Sequence, residues 1–155
     1  ELDAVYVPVG MGSGIVGTIA ARDMLGLKTE VIGVVAEGAN AIALSFAAGK
    51  PVSTNSATTF ADGMAVRVVN PEAFGHIRRG AARIVSVSDD EIADAMRLYF
   101  RCCHTVTEGA GAAPLAALMQ EREKMKGKRA GVILSGGNID MPKFAEVLEG
   151  RTPAA

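Results

Sequence analysis

Short apolar runs alternate with longer stretches of small and apolar residues along this chain. The short runs are bounded by glycine or polar residues, a pattern typical of buried strands. They predict strands at residues 4–9, 31–35, 83–87 and 129–134.

The intervening stretches predict helices. Ser88 and Glu91 have the spacing of a capping box, in which each side chain accepts a hydrogen bond from the backbone N–H of the other residue at a helix start. Residues 51–60 are polar and without a period, which indicates a loop. Helices are predicted at 15–25, closed by Gly26, at 39–48, closed by Gly49, from Ser88 to about 103, and from a Gly/Ala-rich turn at 108–113 through about 125.

The order of these elements, strand followed by helix throughout, predicts one parallel sheet covered by helices on both faces. Ligands of such α/β folds bind beyond the carboxyl ends of the strands. The polar and glycine-rich segments that follow the predicted strands are therefore the first places to look for a site.

Composition narrows the class of ligand. The chain has 16 Lys and Arg against 17 Asp and Glu, no Trp, and only 5% aromatic residues. It therefore lacks the basic surface and stacking platforms that nucleic-acid binding uses. No apolar run is long enough for a membrane span. We expect a soluble, cytoplasmic protein with a small-molecule ligand, neither nucleic acid nor membrane.

The two cysteines, Cys102 and Cys103, are adjacent in a predicted helix, where neighbouring side chains diverge. This arrangement suits a reducing compartment. A metal or redox pair would need a C-x-x-C spacing or a histidine cluster, and His104 alone does not supply one.

The segment that follows the first strand is rich in glycine. Residues 12–17 match G-x-G-x-x-G between a strand and a helix, and Glu37 lies near the end of the next strand. This pattern is typical of dinucleotide binding, but free N–H groups and the helix dipole would hold any phosphate ester equally well. The residues alone leave open an NAD(P) site, another phosphate ligand, or a tight turn with no ligand.

Several further motifs carry a resemblance to a known family. The chain resembles the threonine/serine dehydratases, which are fold-type II pyridoxal-phosphate (PLP) enzymes with a tryptophan synthase β-like fold. The resemblance covers nearly the whole chain and identifies it as the C-terminal part of the catalytic domain, so residues 1–155 form a partial domain. The segments that carry it are V-P-V-G-M-G-S-G at 7–14, A-D-G-M-A-V at 61–66, V-S-D-D-E-I at 87–92, E-G-A-G-A-A at 108–113 and G-V-I-L-S-G-G-N-I-D at 131–140.

The resemblance implies a pyridoxal 5'-phosphate cofactor and a set of residues that bind it. Ser135 would face the pyridine nitrogen, beside Gly136. Glu108 would lie against the ring or only cap a helix, and Asp62 would face the substrate hydroxyl or cap a turn with Gly63; both alternatives stay open. The cofactor phosphate would be held by the glycine loop, namely Gly10, Met11, Gly12, Ser13 and Gly14.

The implied reaction is β-elimination of water from L-threonine, L-serine or a related hydroxyamino acid, giving a 2-oxo acid and ammonia. The family carries its Schiff-base lysine and its substrate-carboxylate loop in the N-terminal half, and this chain contains neither motif. We therefore expect a missing N-terminal half and an inactive isolated chain. An NAD(P)-binding oxidoreductase domain and a non-catalytic remnant remain alternatives.

Two departures from the family pattern have consequences. Val35 and Ala36 stand where relatives often have Glu-Pro, and an apolar side chain cannot bind a hard cation; we therefore predict no metal, although Glu37 leaves the question open. Met11 replaces a glycine, which restricts that position to ordinary backbone angles. We also expect no regulatory domain, as in unregulated dehydratases, and a homo-oligomer.

Overall fold

The computed structural model describes all 155 residues and has one parallel sheet of four strands. The strand order is β3-β2-β1-β4, so the chain moves outward from β1 to β3 and then returns to the other side of β1. The strands are β1 (Ala4–Pro8), β2 (Glu30–Ala36), β3 (Arg83–Val87) and β4 (Ala130–Val132).

Six α-helices and two single 3-10 turns connect and cover these strands. The turns are Glu37–Ala39 and Asp62–Met64. The helices are α1 (Ser13–Met24), α2 (Ala41–Ala48), α3 (Pro71–Gly80), α4 (Asp89–Cys103), α5 (Gly109–Gln120) and α6 (Met141–Leu148).

Side chains of each strand alternate between two hydrophobic cores, because successive residues of a strand point to opposite faces of the sheet. Tyr6 and Ile32 lie in the core formed with α4, α5 and α6. Val7 and Val31 lie in the core formed with α1, α2 and α3. The predicted three-layer α/β architecture, a parallel sheet with helices on both faces, is therefore confirmed.

The predicted Ser88 capping box is present. The Ser88 hydroxyl accepts a hydrogen bond from the Glu91 N–H at 3.2 Å, and the Glu91 carboxylate accepts one from the Ser88 N–H at 2.8 Å. The helix it starts ends at Cys103, as predicted. None of the helices has both the length and the apolar character needed to cross a membrane.

The predicted turn at 108–113 is wrong. Residues from Gly109 onward already form α5, which ends at Gln120 rather than near Met125. Its glycines and alanines are buried on several sides, against the sheet and against α4, so they show no one-sided apolar period. Small residues here allow a central helix to approach its neighbours closely.

Two helices were not predicted. Helix α3 begins with Asn70, whose side chain accepts a hydrogen bond from the Ala73 N–H at 2.9 Å, and with Pro71 in the first turn. Helix α6 follows Asp140, whose side chain makes no capping hydrogen bond, and has Pro142 near its start. Strand β4, at Ala130–Val132, is also shorter than the strand predicted at 129–134.

A network of charged groups closes the amino-terminal edge of the sheet. The Glu121 carboxylate, at the end of α5, accepts hydrogen bonds from Arg83 at 2.6 Å, from the Tyr6 hydroxyl at 2.7 Å and from Lys124 at 3.1 Å. Arg83 also pairs with Glu30 at 2.9 Å. Burial raises the pKa of Glu121, but these hydrogen bonds outweigh it and lower the pKa to about 2. The network ties α5 to three strands at the edge opposite the glycine loop.

Candidate functional site

The glycine loop connects β1 to α1 and presents a row of free donors. No backbone N–H group from Gly10 to Ile15 donates to a carbonyl of the chain; the first paired N–H of the helix is that of Val16, bonded to the Gly12 carbonyl at 3.0 Å. Gly12 has φ +104, a conformation that strains residues with a side chain. Consecutive free N–H groups at a helix start make a binding site for an anion such as phosphate.

Two side chains of the loop are free as well. The Ser13 hydroxyl makes no hydrogen bond within the chain, and the Met11 side chain is 64% exposed. Met11 adopts an ordinary negative φ, as predicted, because His104 is the only non-glycine residue with a positive φ. The loop therefore keeps its donors although Met11 replaces a glycine.

The segment that contains Asp62 packs directly on the glycine loop. A Cβ atom on Gly10 would collide with the carbonyl oxygen of Gly63. The Asp62 side chain is exposed and accepts no hydrogen bond, so it does not cap the turn that it begins. Upstream, the buried Thr59 hydroxyl donates to Asp89 at 2.5 Å and accepts from the Ala61 N–H at 3.1 Å. This contact holds the segment to the start of α4.

Glu108 also lies close to Gly63. It occupies the position before α5, but its carboxylate makes no capping hydrogen bond. Instead, a Cβ atom placed on Gly136 would lie 2.7 Å from Glu108 Oε1, and one on Gly63 would lie 4.0 Å from it. The half-buried carboxylate thus fills the space between the Asp62 segment and the loop that follows β4.

The loop after β4 carries Ser135. Pairing with β1 continues through the Ile133 N–H, which donates to the Tyr6 carbonyl at 3.0 Å. Ser135 itself is exposed, and neither its hydroxyl nor its N–H is bonded within the chain. The next two glycines are required by close approach, since a Cβ on Gly137 would lie 2.8 Å from the Val106 carbonyl oxygen. The Ser135 hydroxyl is free to contact a ligand.

These three segments meet where the strand order reverses, at the carboxyl ends of β1 and β4, which is the place where open α/β sheets bind ligands. A pocket of about 130 Å³ is lined by the Asp62 segment, the start of α5 and residues between Asn138 and Lys143, but not by the glycine loop or Ser135. Its polar lining includes Asp62, Glu108, Asn138, Asp140 and Lys143. Lys143, half-buried on α6 and without an ion pair, was not singled out from the sequence, where it has no distinguishing context.

The other predicted candidates lie apart from this pocket. Cys102 and Cys103 are exposed free thiols at the end of α4. Glu37 is exposed in the turn after β2. No three His, Cys, Asp or Glu side chains are grouped closely enough to hold a metal ion.

Residues 1–136 match the family model described as "Pyridoxal-phosphate dependent enzyme", so the chain belongs to this family. Its cofactor is pyridoxal 5'-phosphate. The family match favours PLP over NAD(P) as the ligand of this chain, whereas G-x-G-x-x-G alone left an NAD(P) site, another phosphate ligand and a ligand-free turn open.

The relatives are dehydratases, ammonia-lyases and racemases. The chain is 40% identical over 148 residues to phenylserine dehydratase of Ralstonia pickettii, covering 95% of this chain and 45% of that protein. It is 34% identical to L-threo-3-hydroxyaspartate ammonia-lyase of Pseudomonas sp, covering 96% and 47%. The processed form of threonine deaminase isoform 2 from Solanum lycopersicum has a TM-score of 0.89 at 32% identity, covering 96% and 42%. The chain therefore spans about half the length of these relatives.

The residues on this chain fit the cofactor. The free N–H groups from Gly10 to Ile15 suit its phosphate, which is dianionic near neutral pH. Ser135 offers an unpaired hydroxyl at the carboxyl end of the neighbouring strand β4. The Gly10–Gly63 and Gly136–Glu108 contacts hold the segments in one continuous wall.

Proposed function

We propose that the complete protein is a PLP-dependent lyase that eliminates water from a β-hydroxy-α-amino acid, giving a 2-oxo acid and ammonia. This chain is the C-terminal part of its catalytic domain and forms one wall of the cofactor site. The observation that carries the proposal is the row of free N–H donors at residues 10–15, which follows β1, the strand next to β4 with its Ser135 loop, where the strand order reverses.

The glycine loop binds the cofactor phosphate in this proposal. The N–H groups of Gly10 to Gly14 donate to the phosphate oxygens, and the Ser13 hydroxyl adds another donor. Helix α1 is aligned behind the loop, so its dipole favours the negative charge. Because the glycine loop holds the phosphate, it fixes one end of the cofactor and so limits the orientation of the ring.

In this proposal, Ser135 influences the electronic character of the cofactor ring, at the end opposite the phosphate. Bound PLP supplies an electron sink that makes the α-proton of an amino acid acidic. A serine hydroxyl facing the pyridine nitrogen is neutral and does not stabilise a protonated ring as a carboxylate would. A moderate electron sink suits elimination of a β-hydroxyl, in which negative charge leaves with the departing group.

Glu108 and Asp62 are the two carboxylates that this chain offers to the site. The Glu108 carboxylate lies against Gly136, one residue beyond Ser135, where it can accept a hydrogen bond from cofactor or substrate. Asp62 is exposed at the pocket and can accept a hydrogen bond from the substrate hydroxyl. We assign both to binding and proton positioning.

The covalent lysine comes from another part of the protein in this proposal. Five of the six lysines are exposed, and the half-buried Lys143 lies on α6 beyond the Ser135 loop. None lies in the family's lysine motif. The other half of the domain supplies the lysine and the loop that grips the substrate carboxylate, and this chain alone does not catalyse the reaction.

The substrate class is tested with the complete gene product. It is assayed against L-threonine, L-serine, L-threo-3-hydroxyaspartate and phenylserine, with the 2-oxo acid and ammonia both quantified. We expect equal amounts of the two products from at least one substrate and none without PLP. Failure with all four, or activity that does not need PLP, would contradict the proposal.

Assembly and location are further parts of the proposal. We propose a homo-oligomer, because exposed apolar side chains such as Met24, Leu25 and Val68 remain on the surface of this chain. A cytoplasmic location fits two exposed, unbridged cysteines. Size-exclusion chromatography with light scattering and cell fractionation test these two statements.

A further inference from the structure

Four polar residues are buried in this chain, and one of them lies directly beside the site. They are Thr29, Ser45, Thr59 and Thr107. Thr107 is 0% exposed and immediately precedes Glu108. A fully buried hydroxyl costs free energy unless it forms a hydrogen bond, so its partner indicates what its position requires.

One of the two acceptors of the Thr107 hydroxyl belongs to the loop that carries Ser135. Thr107 Oγ1 lies 3.0 Å from the Glu108 carbonyl oxygen and 3.1 Å from the Gly136 carbonyl oxygen, so its single proton is shared between them. The Gly136 oxygen also accepts a hydrogen bond from the Glu108 N–H at 3.1 Å. Gly111 lies beneath this contact: a Cβ atom there would be 2.5 Å from Thr107 Oγ1 and 2.6 Å from the Gly136 oxygen. The Glu108 N–H, the shared proton of the Thr107 hydroxyl and a close-packed helix therefore hold the Gly136 carbonyl group.

The attachment of the Gly136 carbonyl group restricts the position of the preceding residue, Ser135. Ser135 makes no hydrogen bond of its own, so the orientation of its hydroxyl depends on the backbone on either side. On one side, Ile133 pairs with β1; on the other, the nearest attachment is Gly136. The Gly136 attachment also sets the distance from Ser135 to Glu108, whose carboxylate rests on Gly136.

We propose that Thr107 is a positioning residue that holds the Ser135 hydroxyl and the Glu108 carboxylate in register with the cofactor ring. This inference rests on the proposed function, in which Ser135 faces the ring. Thr107 does not touch cofactor or substrate; it acts through the Gly136 carbonyl. The side-chain hydroxyl carries the role, because valine has the same shape but leaves that carbonyl with one donor fewer.

The test uses the complete gene product loaded with PLP and three variants. Thr107→Val removes the hydroxyl, and Thr107→Ser keeps it. Thr29→Val is the matched control, because the Thr29 hydroxyl is also buried and donates to a backbone carbonyl, that of Leu2 at 2.7 Å, near the amino-terminal edge of the sheet. The readouts are the absorption and fluorescence maxima of the bound cofactor without substrate, the PLP dissociation constant, and kcat and KM.

We expect Thr107→Val to shift the cofactor spectrum and to lower kcat about tenfold with KM little changed, since small misplacements of positioned groups reduce rate strongly. We expect Thr107→Ser to keep the wild-type cofactor spectrum. Thr29→Val should lower the stability of the protein without shifting the cofactor spectrum. A wild-type spectrum and kcat in Thr107→Val, or an equal shift in Thr29→Val, would overturn the inference. If Thr107→Val does not fold, Thr107→Cys, a weak donor of similar size, replaces it with the same expectations. A wild-type protein that does not bind PLP would overturn the proposed function instead.

Discussion

Glu121 provides the sharpest quantitative prediction. Its side chain is 15% exposed at the end of α5 and accepts hydrogen bonds from Arg83, Tyr6 and Lys124. Glu121→Gln removes the negative charge and keeps the shape. The change leaves the Arg83 guanidinium with a neutral partner where it had a charged one. We expect the variant to be less stable at neutral pH and equally stable in strong acid.

The magnitude follows from the pKa. The folded-state pKa of Glu121 is about 2, against an ordinary value of 4.5. At about 1.4 kcal/mol for each pH unit, and with some reduction for the remaining solvent contact, ionisation of Glu121 contributes about 2–3 kcal/mol to the free energy of unfolding. Because the pKa is lowered on folding, this contribution is complete above pH 4.5 and is lost as the pH falls towards 2.

Urea unfolding followed by circular dichroism measures this contribution at several pH values. We expect the free energy of unfolding of the wild type to exceed that of Glu121→Gln by about 2–3 kcal/mol at pH 6. This difference should disappear near pH 2. Glu123→Gln is the matched control, because that carboxylate is 82% exposed and lies 3.9 Å from Arg122, so its change should be within about 0.5 kcal/mol. A difference that is constant with pH, or as large in the control, would refute the reasoning.

Three further substitutions test the site. Gly12→Ala places a side chain at φ +104, which costs about 1–2 kcal/mol, and we expect about tenfold weaker PLP binding by fluorescence titration; unchanged affinity would contradict the phosphate assignment. Asp89→Asn weakens the bond to Thr59 and should lower the free energy of unfolding by about 1–2 kcal/mol in urea titrations, whereas no loss would mean that this contact does not hold the segment. Ser135→Ala should reduce kcat more than it reduces PLP affinity, as measured by steady-state kinetics. An unchanged kcat would contradict the proposal that Ser135 faces the cofactor ring.

The parts of the fold that depend on local order could be predicted. Strand alternation, the Ser88 capping box and the glycine stops are properties of neighbouring residues, so the layered parallel sheet followed from them. Helix α5 could not be bounded, because the buried faces of its glycines and alanines leave no period to read. The signal for α3 was present in Asn70 and Pro71, and the apolar pair Phe74 and Ile77 lies at helical spacing.

The residues of the site likewise fall into those that could be predicted from the sequence and those that could not. The glycine loop and the S-G-G-N segment were recognised as motifs, since each is a continuous stretch of sequence. Thr107 was not, because its contact with the Ser135 loop is made to the carbonyl oxygen of Gly136, far along the chain. Lys143 is likewise indistinguishable from a surface lysine until α6 places it at the pocket. Residues that act through non-local contacts have no signature in a single sequence.

The central claim is that this chain holds the cofactor phosphate but supplies no lysine for it. The most direct test incubates the 155-residue chain with PLP, measures displacement by inorganic phosphate, and records intact mass after borohydride reduction. We predict saturable binding that phosphate displaces, with no stoichiometric adduct on a single lysine. One stoichiometric adduct at an internal lysine, or no phosphate-sensitive binding, would contradict the account.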